Sequence, residues 1–559
     1  MNGRVVLVGP EEEENLSLRY LTAALERAGF VACILPFNSG DDLPRVLGAV
    51  VDRRAPPILV GVSLAFQWRA KDCLALVMAL RDRGYAGHIT AGGHFGTFAA
   101  EDLLADFPEL DSICRHEAEA TIVELARAVD AGGPFEHIAG LAVRDGGSVV
   151  MNPVRRPQDL AALAWPDRRG EPPVCLGHRM APLVGSRGCH ADCAFCCIAA
   201  WHALADGGPR FRTRPVADIA DEMAWLKRER GIDIFVFHDD NFFLPGHQRS
   251  LDRIDALADA LDARDLGPIA TVVKARPTDV TAEVFTALRD RLGCIRVFLG
   301  IENASAQGLR TLRRRVAEHE NHEALRILDE LGIYVCFNML IFEPDATMEG
   351  LETNLKFMER YGDNPLNFGR VELYAGTTLL ARMQAEGRCR GDYFGWDYDL
   401  ASPEMQRVFR LAMSCFYPRN FAGDALANRL QTTRFDVEVA RHFHPDVHDE
   451  AWLVEAKRLS RQLARDSAAA LREIVEFVTR SLSQKQCGTG FQPVRFQGIG
   501  IGSTPVRGAK PFVNELSQRL RRTEREIGDA AGRLEETIQT AVGRRCRHAR
   551  PLEMAAASP

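Results

Sequence analysis

The sequence predicts an α/β protein in three successive parts. These are a doubly wound, Rossmann-like parallel sheet, a partial (β/α)6 barrel of the TIM type, and a helical C-terminal region. Three observations predict this. Short apolar runs alternate with amphipathic stretches from residue 4 to about 130, the alternation resumes from 182 to about 374, and only helical periodicity remains from about 402. Alternation of this kind belongs to parallel sheets covered by helices. With 559 residues the chain is too long for one domain, and the boundaries expected are 1–135, a linker at 136–180, 181–400 and 401–559.

In the first part, residues 4–9 (RVVLVG) read as a buried strand. Leu16, Leu18, Leu21, Ala24 and Leu25 then repeat at helical spacing up to a stop at Gly29. Further strands are expected at 31–36, 58–64, 88–91 and 111–114, with helices near 70–83, 98–106 and 118–130. The linker is rich in Gly, Pro and charge and holds a small hairpin, LAVRD and GSVVM. Barrel strands are expected at 182–186, 232–238, 269–274, 294–300, 334–341 and 368–374, with helices between them. Two long helices are expected at 451–482 and 513–543, separated by a Gly-rich flexible loop at 484–511. The basic run RRCRHAR and the tail after it read as solvated and frayed.

Hydrophobic residues make up 46% and charged residues 26%, the balance of a soluble, core-forming protein. A net charge of -7 argues against general affinity for nucleic acid, so no specific nucleic-acid partner is expected. There is no run of eighteen apolar residues, so no membrane span is expected. The start, MNGRVVLVGPEEEEN, lacks the pattern of a signal peptide. A reducing cytoplasm is therefore the expected compartment.

Of fourteen cysteines, one group is tight: Cys189, Cys193, Cys196 and Cys197 in GSRGCHADCAFCC, just after an expected strand. Three thiolates at C-x3-C-x2-C spacing suit an iron–sulfur cubane with one iron left open for a small chelating molecule. Two other readings stay open on spacing alone. One is a structural zinc site, although zinc prefers four protein ligands and Cys197 directly follows Cys196. The other is a set of unrelated core cysteines.

The run from Cys189 to Cys196, with Phe195 before the last cysteine, resembles the signature of the radical S-adenosylmethionine superfamily. The resemblance implies that Cys189, Cys193 and Cys196 hold a [4Fe–4S] cluster and that S-adenosylmethionine binds its open iron. One-electron reduction then yields methionine and a 5′-deoxyadenosyl radical, with Phe195 near the adenine. Later segments match in order. IDIFVFHDDNFF resembles the second barrel strand and puts His238, Asp239, Asp240 and Asn241 at the mouth. VVKARPT resembles the third and carries Arg276, and VFLGIENAS resembles the fourth, where Glu302 reaches the S-adenosylmethionine. Asp239, Asp240 and Glu302 are the candidate catalytic groups. Each has a plainer reading as a helix cap or turn residue, and Arg276 as a surface or ion-pairing residue. The chain departs from the superfamily in having HDDN where Gly-Gly-Glu is common, and Phe342 where Gly is common.

ITAGGHFGTFAAEDLL, followed by LDSICRHEAEATIVELARAV, resembles the cobalamin-binding domain that precedes many such enzymes. This implies that Ser63, Gly92, Gly93, His94 and Thr97 face cobalamin. The plainer reading of the two glycines is an ordinary tight turn. After the first strand the chain reads GPEEEENL and lacks the Asp-x-His-x-x-Gly run that ligates cobalt in other cobalamin domains. Two readings follow: cobalamin held without that histidine, or cobalamin lost. Glu11–Glu14 read as a solvated loop rather than a metal site. Tyr393, Phe394, Trp396 and Tyr398 are either pocket-lining or plain packing residues between barrel and cap.

The function implied is cobalamin-dependent methylation of an unactivated carbon of a small molecule or natural-product precursor, fed by an electron donor such as flavodoxin or ferredoxin. A cobalamin-associated radical cyclase or rearrangement enzyme, and a non-catalytic cobalamin or cluster sensor, are the alternatives.

Overall fold

Five short buried runs form the parallel strands β1 (Arg4–Gly9), β2 (Val31–Pro36), β3 (Leu59–Ser63), β4 (His88–Gly92) and β5 (Ser112–Cys114) of a computed structural model that describes residues 3–51, 56–205, 208–483 and 509–548. Their order is β2-β1-β3-β4-β5. It reverses between β1 and β3, where open α/β sheets take ligands beyond their carboxyl ends. Val5, Val6, Val8 and Val60 are fully buried, because helices cover both faces. The helix Leu16–Arg27 starts at Asn15, whose side chain accepts from Leu18 N.

The hairpin expected in the linker joins this sheet instead. β6 (Leu141–Asp145) and β7 (Ser148–Met151) turn at Gly146 and Gly147, both at positive φ. β6 pairs antiparallel with β5, so the sheet has seven strands. The physical reason is burial: Leu141, Ala142 and Val143 cover the open edge of the three-residue β5. Glu11 and Glu14 also differ from a simple solvated loop. Glu11 pairs with Arg19 at 2.6 Å and Glu14 with Arg168 at 2.5 Å, while Glu12 and Glu13 are exposed.

The second sheet is the half-barrel. It contains β8 (Val174–Cys175), β9 (His178–Leu183), β12 (Ile232–Phe237), β13 (Ala270–Ala275), β14 (Cys294–Leu299), β15 (Tyr334–Phe342) and β16 (Leu366–Arg370). The order is β16-β15-β14-β13-β12-β9-β8, with six parallel strands and β8 antiparallel at the edge. A small ribbon, β10 (Ser186–Gly188) with β11 (Phe211–Thr213), follows β9. The first barrel strand therefore lies at 178–183 rather than 182–186. It stops there because the N–H groups of Gly185 and Ser186 turn to the Asp239 carboxylate, not to a neighbouring strand.

Side chains alternate across the barrel sheet. Phe235, Phe237, Val273 and Val297 pack outward under the helices. Val236, Val272, Phe298 and Cys336 face the concave side, where Phe435 and Val439 of the helix Leu426–Phe443 meet them. The C-terminal helices Pro403–Phe421, Leu426–Phe443, Glu450–Ser483 and Ala509–His548 are as expected. The flexible loop expected at 484–511 falls, up to residue 508, outside the described residues, as does the tail from 549.

The short ribbon β17 (Cys389–Asp392) and β18 (Gly395–Tyr398) carries the aromatic group. Tyr393 stacks on Phe95 and donates to Asp106, and Phe394 packs on Phe107. Tyr398 is fully buried and donates to Val371 O. These contacts are packing, and they dock the barrel side of the chain on the N-terminal domain.

Candidate functional site

Cys189, Cys193 and Cys196 lie in the loop after β10, over the carboxyl ends of the barrel strands. The loop backbone is tied on both sides: Ala194 N donates to Leu312 O at 2.9 Å, and Leu379 N donates to Ala194 O at 2.8 Å. The three cysteines line one cavity of about 370 Å3 with Phe195, Arg276 and Glu302. Arg314 Nη1 donates to Cys193 Sγ at 3.1 Å. Burial raises the Cys189 thiol and pushes Cys196 up to about 12, so metal binding must displace their protons. Cys197 starts the next helix and does not line this cavity. Among the described residues no three His, Cys, Asp or Glu side chains converge on one point. A cubane takes each thiolate on a different iron, and three separated thiols around one cavity fit it.

Glu302 reaches this cavity from the end of β14 with φ of 62°, a left-handed conformation for a non-glycine residue. Such a conformation costs about 1–3 kcal/mol and collects at working sites. It persists because Glu302 O accepts from Leu340 N at 2.5 Å. Burial raises the Glu302 carboxyl, and the Arg314 guanidinium opposes this.

The HDDN segment divides its work. Asp240 lines the cluster cavity, and its Oδ2 accepts from Gly188 N at 3.0 Å. Asp239 and Asn241 do not line it. Asp239 is 1% exposed and accepts from Gly185 N at 2.6 Å and Ser186 N at 3.1 Å. Asn241 Oδ1 accepts from Phe243 N at 3.1 Å. Both hold turns, and of the two expected catalytic aspartates only Asp240 lines the cluster cavity. The sequence could not separate Asp239 from Asp240, since both follow the strand directly. His238 lines two other cavities, one on the N-terminal domain side and one inside the barrel, and burial and the Lys274 ammonium push its ring down to about 4.

A second cavity, of about 260 Å3, opens at the carboxyl edge of the N-terminal sheet. Ser63, Gly92, Gly93 and His94 line it. Gly93 sits at φ of 101°, where a Cβ would meet Ala65 backbone at 2.9 Å, so only glycine fits this turn. Thr97 is not on the wall; its hydroxyl accepts from His116 N at 3.0 Å and holds the next loop.

Several wall residues were not picked out by the sequence. His116 stacks on Trp201 at 5.0 Å, and His94 packs on the same ring at 4.2 Å. His116 is 3% exposed with φ of 64°, and neither ring nitrogen has a partner. His202 Nδ1 is also buried without a partner. Burial pushes His94 and His116 down to about 4 and His202 to about 3. Glycines and unpartnered imidazole nitrogens at this edge suit the amide-bearing rim of a ligand such as cobalamin, of which a space this size takes only a part. Arg314, next to the cysteines in space yet 121 residues from Cys193 in sequence, was likewise invisible to local pattern.

Residues 4–126 match the B12 binding domain and residues 183–358 the Radical SAM superfamily, together more than half of the chain. An uncharacterized methyltransferase of Pyrococcus horikoshii is 27% identical over 59% of this chain and 70% of its own length. The anaerobic magnesium-protoporphyrin IX monomethyl ester cyclase of Cereibacter sphaeroides is 27% identical over 65% of this chain, which spans 59% of that enzyme. The fold is shared with the cobalamin-dependent S-adenosylmethionine radical enzyme OxsB, solved with aqua-cobalamin and S-adenosylmethionine, at a TM-score of 0.64 and 16% identity over 98% of this chain and 80% of that one. No helix among the described residues is long and apolar enough to cross a membrane. The chain belongs to the radical S-adenosylmethionine enzymes that carry a cobalamin-binding domain, with a [4Fe–4S] cluster, S-adenosylmethionine and cobalamin as its cofactors.

Proposed function

We propose that the chain methylates an unactivated carbon of a small molecule or natural-product precursor. One observation carries the reading: Asp240 and Ile198 line both the cluster cavity and the cobalamin-side cavity, so the two cofactor sites share a wall. A substrate carbon at that wall meets a hydrogen-abstracting radical on one side and a methyl carrier on the other. When bound, the cofactors supply the radical and the methyl group; the chain supplies position and exclusion of water.

In this reading Cys189, Cys193 and Cys196 hold the cluster. Phe195, Arg276 and Glu302 orient S-adenosylmethionine, with Asp240 between the two sites. Ser63, Gly92, Gly93 and His94 hold cobalamin, and Thr97 positions their loop. Asp239 and Asn241 shape the turn that presents Asp240, and His238 keeps a neutral ring beside it. The electron comes from a small reduced donor protein of the flavodoxin or ferredoxin kind. The twelve described cysteines are all free thiols, which suits a reducing cytoplasm.

The test uses protein reconstituted anaerobically with iron, sulfide and cobalamin, then given reductant and methyl-deuterated S-adenosylmethionine. The expected result is 5′-deoxyadenosine, with deuterated methyl on protein-bound cobalamin. No 5′-deoxyadenosine from protein with an intact cluster defeats the enzyme reading. 5′-Deoxyadenosine without label on cobalamin turns the choice to a cyclase-type reaction without methyl transfer.

A further inference from the structure

Below the cluster cavity, the concave face of the half-barrel encloses a larger space of about 960 Å3. Lys274 and Phe298 line both, so the space adjoins the cluster site. Its walls are mainly apolar, including Val174, Leu176, Met180, Val236, Val272 and Phe435. The helix Leu426–Phe443 and Val542 of the last helix close it. That size and lining, with a few polar groups, is what a small-molecule site needs.

The charges in it are unevenly placed. Glu12 and Glu13 stand at the exposed rim. Burial pushes the Asp436 carboxyl up to about 6, and it accepts from Cys175 Sγ at 3.2 Å. Deeper in, Lys274 and Arg296 project from β13 and β14. Neither forms an ion pair with a carboxylate among the described residues. Arg296 lies over the rings of Phe298 at 4.1 Å, Tyr334 at 5.2 Å and Phe435 at 5.4 Å. Its Nε and Nη2 donate to Cys336 Sγ, and Nη2 also reaches Gln431 Oε1 at 3.3 Å. Its Nη1 amino group has no protein partner among the described residues. Only Glu13, at longer range, acts on Arg296 as a carboxylate, and partial burial of a cation costs free energy. Aromatic faces offset part of that, and a bound anion would offset the rest.

We infer that the barrel space holds the substrate, and that the substrate is an amphipathic anion: a bulky apolar body with a carboxylate or phosphate seated between Lys274 and Arg296. This rests on reading the barrel mouth as the place where the radical forms. A guanidinium braced by ring faces on one side presents its open edge to a two-oxygen anion.

The test uses three fluorescent probes with one apolar body and different head groups: 1-pyrenebutyrate, 1-pyrenebutanol and 1-pyrenebutylamine. Each is titrated by anisotropy into reconstituted wild-type protein, Arg296→Met, Arg296→Lys and Lys274→Met, with and without S-adenosylmethionine. In wild type the carboxylate should bind about tenfold or more tighter than the alcohol, the scale of a charge-assisted hydrogen bond, and the amine weakest. Arg296→Met should erase that preference while pyrenebutanol binds as before, which reports an intact cavity. Arg296→Lys should restore part of it. Equal binding of anion and amine overturns the inference, as does an Arg296→Met protein that keeps the anion preference. If the preference vanishes only in Lys274→Met, and S-adenosylmethionine competes with the probe, the cations serve S-adenosylmethionine and the inference also falls. Binding needs no radical. A protein that selects the anion yet makes no 5′-deoxyadenosine keeps this inference and loses the proposed function; the opposite pattern does the reverse.

Discussion

Arg314 sits at the meeting point of the cluster loop and the strained Glu302. Its Nη1 donates to Cys193 Sγ at 3.1 Å, its Nη2 donates to Gly300 O, and its charge opposes the burial of the Glu302 carboxyl. A cation hydrogen-bonded to a cluster thiolate favours the reduced, more negative state. Arg314→Met should therefore lower the cluster's reduction potential by on the order of 50–100 mV, the scale of one charge a few ångströms away in a partly screened medium. Arg314→Lys should recover part of the loss. Redox titration followed by electron paramagnetic resonance measures it, and an unchanged potential in Arg314→Met would remove Arg314 from this role. Legibility at this scale was uneven. Cys189, Cys193 and Cys196 were readable because their spacing is local. Asp239 and Asp240 were both visible, but which one faces the cavity depends on where the Gly185 and Ser186 N–H groups go, 54 and 53 residues away. Arg314 and His116 carry no local pattern at all.

Elements were easier where burial is two-sided. Runs such as RVVLVG and IDIFVF are apolar but for Arg4 and Asp233 because helices cover both faces of each sheet, so β1 and β12 stand out in the sequence. The β6–β7 hairpin was equally visible, but its docking against β5 was not, since edge pairing depends on what the other strand leaves open. Short pieces such as the helix Ala306–Thr311 have too few residues for a period to show. The C-terminal helices were seen as amphipathic, but not what joins them. Arg419 does so, fully buried in the helix Pro403–Phe421. It pairs with Asp466 at 2.7 Å and Glu524 at 2.9 Å, on the two long helices that follow. It also donates to Ser467 Oγ at 3.0 Å and Leu520 O at 3.2 Å. Breaking a buried pair by removing one partner strands the other, so Arg419→Met should destabilise the C-terminal region by about 3–5 kcal/mol. Proteolysis combined with thermal unfolding should show that region opening first. A melting curve like that of wild type would mean the long helices are held by their apolar faces alone.

At the scale of the whole molecule, the two α/β parts meet across a wall of imidazoles. His94 and His116 come from the N-terminal domain, His202 from the helix after the cluster loop, and His238 from the end of β12. All four line the same cavity. The order of the domains could be read along the chain, but this wall could not, because its members are spread over 144 residues and assemble only when the domains dock. Burial holds His94, His116 and His238 at about 4 and His202 at about 3, against an ordinary imidazole value of 6.5. The unfolded chain therefore takes up protons between pH 6.5 and about 4 that the folded chain refuses. Stability is complete above that window and falls as pH drops through it. At pH 5.5 each buried histidine accounts for roughly 1.4 kcal/mol of that fall. The cofactor-free chain should thus unfold at clearly lower urea concentration at pH 5.5 than at pH 7.5. The double variant His116→Gln, His202→Gln should lose roughly 3 kcal/mol less over the same interval, whatever its stability at pH 7.5. Few carboxylates titrate between those two pH values, so the difference between wild type and variant isolates the imidazoles. Identical losses in both proteins would mean that His116 and His202 take up protons in the folded state, and that water reaches the wall between the domains.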